Sequence, residues 1–145
     1  MNLATSRIIV LLEIAALLQL GVAVLNLFLI RLLDWGKELA RVPLLMREVF
    51  QVHVWFISVT LAIFGVMTGR FAGDMANGGN PVAQWLAFGI GAFWAVRTIL
   101  QITYYSSSHW RGQGGRTAAH VVLLFMYGGF GVLYLFTAVG SSLFR

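Results

Sequence analysis

The chain has 145 residues, 59% of them hydrophobic and only 10% charged, with a mean hydropathy of +0.84. A soluble domain carries about 25% charged and 45–50% apolar residues, so a soluble globular fold is excluded. The net charge of +5 sits at the edges of apolar blocks, which marks it as a headgroup and topology signal and not a nucleic-acid footprint, and the lack of cysteine removes disulfide and thiolate–metal chemistry.

Four apolar blocks, over about 8–30, 49–69, 82–101 and 118–143, meet the roughly 20-residue length of a membrane-crossing helix. Backbone groups in lipid must be paired internally, and strand-like alternation is missing, so helices are expected. The expected fold is all-α: one integral membrane four-helix bundle filling a single domain over 1–145. The first block follows Arg7 and has a weak signal-peptide look, but it is too long for a cleaved core and lacks a small-x-small exit site. It is read as a span. Glu13 lies near its outer end, with Gln84 as the expected hydrogen-bond partner, and Asn26 lies near its inner end.

The first connection, "RLLDWGKELARVPLLMRE", contains Asp34 as a potential helix cap, then Trp35, Leu39 and Val42 at near-helical spacing, and Pro43 as a stop. A short helix in the headgroup plane anchored by Trp35 and a plain tight connection fit it equally. The second block opens with Glu48, Gln51 and His53. The second connection, "RFAGDMANGGNP", reads as turn chemistry throughout. In the third block, "GAFWAVRTILQITYY" places Arg97 about 22 Å along the helix from Val82, and Arg97 shares a face with Gln101, Trp94 and Tyr104. The third connection, "SSSHWRGQGGRT", is small and polar, and His120 begins the fourth block. Ser58 and Ala62, Ala87 and Gly91, and Gly128, Gly129 and Gly131 are small residues of the kind that let membrane helices approach closely.

If alternate ends of the spans face the same side, Asn26, Glu48, His53, Arg97, Gln101 and His120 form one polar layer. Glu48 is then the expected counter-charge of Arg97. Ionisable groups inside a membrane point to function by default, but near the surface a structural layer that locks the helices is favoured. The alternatives are haem b with His53 and His120 as axial ligands, a proton or ligand path, and a lipid-headgroup site. A zinc site from His53, His109 and His120 needs three fixed ligands, and His109 falls in the glycine-rich connection.

Counting Lys and Arg, the first and third connections carry six and the opposite side three (Arg7, Arg70, Arg145). That bias places the two connections in the cytoplasm and both chain ends outside. Hydrolase, zincin and phosphate-loop signatures are missing, as is any paired-carboxylate arrangement within the spans. The succession "LNLFLIRLLDW", "MREVFQVHVWF" and "GAFWAVRTILQITYY" resembles small uncharacterised bacterial four-span membrane proteins. The resemblance implies an inner-membrane location and no residue role. The expected function is a non-enzymatic accessory or structural subunit of a larger membrane complex. It needs no cofactor, and its partners are membrane lipids and other membrane subunits. A haem-b electron carrier and a small transporter or channel component are the alternatives.

Overall fold

The computed structural model describes residues 3–32, 35–104 and 114–143, with only the backbone described for Lys37 and for residues 114–117, 119 and 141–143. Five helices follow in order: α1 (Leu3–Leu32), α2 (Gly36–Ala40), α3 (Leu44–Asn77), α4 (Pro81–Thr103) and α5 (Gly114–Leu143). There is no strand among the described residues, and the chain is all-α as expected. Four stretches are long and apolar enough to cross a membrane: α1, α3, α4 and His120–Gly140 of α5.

The helices overrun the apolar blocks, most of all α3. Its 34 residues correspond to about 50 Å at 1.5 Å per residue, well beyond a hydrocarbon core of about 30 Å. The excess corrects the expectation for the second connection. "RFAGDMAN" continues the helix, with Asn77 Nδ2 donating to Gly73 O at 2.8 Å. Ala, Met and Phe sustain a helix there, and the single Gly73 does not end it.

The true turn is Gly78–Gly79–Asn80. Gly78 takes φ 68°, the left-handed conformation that closes a helix, and its N–H bonds Asp74 O at 3.2 Å. Asn80 then caps α4, its Oδ1 accepting from Val82 N at 3.0 Å and Ala83 N at 3.4 Å, with Pro81 in the first turn.

The first connection forms a single five-residue turn, α2, with Trp35 at its N-cap and no side-chain cap bond. The expected cap, Asp34, lies outside the described residues. Trp35 packs on Phe50 with ring centroids 6.4 Å apart. The helix ends before Pro43, and Arg41 reaches Glu38 at 3.5 Å in an exposed pair that adds little stability.

Buried positions on α3 alternate in steps of four and three: Val54, Ser58, Leu61, Gly65, Thr68, Ala72 and Met75. On α1 the series Leu12, Ala16, Gln19 and Ala23 does the same, with Ala15 buried beside it, and on α4 Ala83, Ala87, Ile90 and Trp94 do so, with Gly91 beside them and Gln101 seven residues on. That is the seven-residue repeat that keeps one seam of a helix against a neighbour. In lipid the seam is made by close packing and polar contacts, because lipid tails are as apolar as leucine.

The chain divides into two compact units. One is Glu13–Arg70, containing most of α1, α2 and most of α3. The other joins Met1–Leu12 to Phe71–Arg145, with α4 and α5 as its main pair. In the Glu13–Arg70 unit, Gly65 permits the closest approach of α1 and α3. A Cβ there would lie 2.8 Å from Leu20 Cγ and 2.9 Å from Ala16 O. In the other unit Gly91 does the same for α4 and α5, with Leu135 N and Cγ each 2.9 Å from where its Cβ would be. Gly131 sits 3.4 Å from Ala95 N on the same measure, whereas Gly129 meets nothing within 4 Å. Gly91 and Gly131 therefore serve the expected packing role, and Gly129 does not.

Candidate functional site

The six residues of the expected polar layer fall in both units. Asn26, Glu48 and His53 belong to Glu13–Arg70; Arg97, Gln101 and His120 belong to the α4–α5 unit.

In the first group, Asn26 is the structural member. Its Nδ2 donates to Val54 O at 3.0 Å and to Ser58 Oγ at 2.9 Å, and Ser58 Oγ in turn donates to Val54 O at 2.9 Å. Ser58, expected only as a small residue, is thus a hydrogen-bonding partner across α1 and α3. His53 is exposed and makes no hydrogen bond with a described residue. Glu48 is exposed on the wall of a groove between α1 and α3.

The second group forms a connected arrangement. Gln101, buried at 4% exposure, places Nε2 2.8 Å from His120 Nδ1. One heptad away, Trp94 stacks on Tyr127 with centroids 5.0 Å apart and planes at 27°, and it tilts against Phe130 at 4.9 Å. Arg97 lies over the other partner of that stack, its Cζ 5.1 Å from the Tyr127 ring centroid. The guanidinium is attracted to the ring's negative face, and more strongly where water is scarce. Arg97 in an apolar run is accounted for in this way: an aromatic face on the neighbouring helix receives its charge.

The register explains why these residues meet. Going down α4, Gln101, Trp94 and Ala87 are seven apart; going up α5, His120, Tyr127 and Tyr134 are seven apart. Gln101 with His120 and Trp94 with Tyr127 make successive rungs of an antiparallel pair. Tyr134 and Ala87, both fully buried, fall at the next step of the same seven-residue spacing. Tyr127 and Tyr134 were legible in the sequence through this spacing from His120.

Gln101 Oε1 is buried without a hydrogen-bond partner among the described residues. With the amide nitrogen donating to Nδ1, the imidazole proton sits on Nε2. With the amide turned over, Oε1 accepts from Nδ1–H and Nε2 carries the lone pair instead. The two arrangements differ in what Nε2 offers, and both hold α4 to α5. Gln84, the expected partner of Glu13, spends its Nε2 on Met75 O at 2.8 Å, tying the start of α4 to the end of α3. Glu13 itself is exposed. No group of three His, Cys, Asp or Glu suited to a metal occurs among the described residues; His109 of the zinc alternative lies outside them.

The Gln101–His120 bond should be measurable as a coupling. In a double-mutant cycle of Gln101→Leu and His120→Leu, we expect an interaction of about 0.6–1.7 kcal/mol, the range of interhelical hydrogen bonds in membranes. Unfolding of the purified protein in mixed micelles reads it out. Strictly additive single-mutant losses would mean the bond does not operate.

Comparison with protein-family models, with curated proteins and with solved structures yields no match.

Proposed function

We propose that this chain is a non-enzymatic accessory or structural subunit of a larger membrane assembly. The observation that carries the proposal is how the polar side chains of the spans are used. Asn26 joins α1 to α3, Gln101 joins α4 to α5, and Gln84 joins the α3 and α4 ends. These three amides act as interhelical fasteners, which is what a rigid scaffold requires. Among the described residues the connections are short: α2 is one turn, and three residues separate α3 from α4. The six-to-three distribution of basic residues supports an inner-membrane orientation with the α1–α3 and α4–α5 connections in the cytoplasm.

Two measurements on cells expressing the chain test this. Extracted in mild detergent, it should migrate above its 16.0 kDa monomer together with a second membrane protein in fixed ratio. Recovery solely as a free monomer across several mild detergents would overturn the role. Reporter fusions at Asn77 and Gly114 should report opposite sides, Asn77 outside. A cytoplasmic signal from Asn77 would reverse the orientation.

A further inference from the structure

In the Glu13–Arg70 unit, the ends of α1 and α3 nearest their connection enclose a groove of about 1030 Å³. Its polarity is graded. Arg31, Glu48 and Gln51 line one end, and Leu27, Phe56 and Val59 line the wall towards the middle of the spans. From Glu48 to Val59 the helix advances eleven residues, about 16 Å at 1.5 Å per residue. That is close to half of a hydrocarbon core of about 30 Å, the depth of a single leaflet.

Arg31 and Glu48 carry opposite charges on one groove, yet neither forms an ion pair among the described residues. We propose that the groove seats one zwitterionic phospholipid with a primary-amine headgroup. Its phosphate meets Arg31, its ammonium meets Glu48, and one acyl chain lies along Leu27, Phe56 and Val59. A guanidinium fork matches phosphate oxygens in two-pronged geometry, and a carboxylate accepts short charge-assisted bonds from an ammonium N–H. Gln51 supplies a neutral amide for the remaining phosphate or ester oxygens.

The charge pattern selects among lipids. An anionic glycerol headgroup satisfies Arg31 through its phosphate but brings no cation to offset Glu48. A quaternary choline headgroup has the right charges but no N–H for the carboxylate. A packed helix from another protein would match the apolar wall, but it offers no reason for two opposite charges that make no ion pair among the described residues.

Native mass spectrometry of the full chain in detergent, titrated with phosphatidylethanolamine, phosphatidylcholine and phosphatidylglycerol of identical acyl chains, tests the assignment. One ethanolamine lipid per chain should be retained, about tenfold better than either of the others, the size expected of one charge-assisted hydrogen bond. Glu48→Gln should abolish the preference over the glycerol lipid, and Arg31→Gln should lower retention of both. Arg41→Gln, away from the groove, should change neither. Both groove side chains are exposed, so folding should survive, and unchanged helical circular dichroism checks this. If a variant fails to fold, the ranking of the three lipids on the unmodified chain decides alone. A benzophenone side chain in place of Val59 should cross-link to lipid in ethanolamine-lipid nanodiscs. Equal retention of the three lipids, indifference to Glu48→Gln in a folded variant, or cross-linking of Val59 to protein would overturn the proposal.

Discussion

Gly91→Ala is expected to weaken the α4–α5 pair, although alanine is the better helix former. On intrinsic propensity the change favours the helix by about 1 kcal/mol. The added Cβ, however, would stand 2.9 Å from Leu135 N, a backbone atom that cannot rotate aside. Relief requires the helices to separate, and overpacking of this kind costs about 1–3 kcal/mol or more. Separation also lengthens every contact in register with Gly91, including the Trp94–Tyr127 stack and the Gln101–His120 bond. Gly89, on the same helix, has nothing within 4 Å of its would-be Cβ, so Gly89→Ala should be neutral or mildly stabilising. The two substitutions therefore differ in sign. Unfolding in mixed micelles, followed by circular dichroism, measures both, and equal effects would refute the close approach at Gly91.

Trp94→Ala should produce the largest loss of stability of any single change in the α4–α5 unit. Trp94 is 1% exposed and makes ring contacts with Tyr127, Phe130 and Phe93. Removing a buried tryptophan costs about 3–5 kcal/mol, because the lost contacts and the cavity add. Trp94→Phe keeps part of the ring contact and should recover part of the loss. Trp85 is the control: it lies on the same helix, 74% exposed, so Trp85→Ala should alter stability by less than about 0.5 kcal/mol. A matching penalty at Trp85 and Trp94 would show that the stack contributes nothing special. Arg97 adds a further check. If its charge rests on the Tyr127 ring, Tyr127→Leu should make Arg97→Leu less costly than it is in the unmodified chain.

Several features of this protein were determined by its sequence alone. Apolar blocks of membrane-crossing length specify four helices, since nothing else satisfies the backbone in lipid. Asn80 before Pro81 specifies where α4 begins, because cap and proline act on the residues beside them. The seven-residue spacing of Ala87, Trp94 and Gln101 on α4, and of His120, Tyr127 and Tyr134 on α5, was present there too. The extent of α3 was obscured because "RFAGDMAN" holds polar and glycine residues that a helix tolerates outside the hydrocarbon core.

Which helix each face meets was decided only by the tertiary structure. Periodicity gives a direction around one axis and carries no information about the residue that will lie opposite. Arg97 shows the consequence: charge alone suggests a carboxylate such as Glu48, whereas the packed helices supply the face of Tyr127. Asn26 and Ser58 are 32 residues apart, and no local rule joins them. Gly65 and Gly91 look like Gly89 and Gly129 in the sequence. What separates them is a neighbouring backbone less than 3 Å from an absent Cβ, a distance that exists only once two helices have packed.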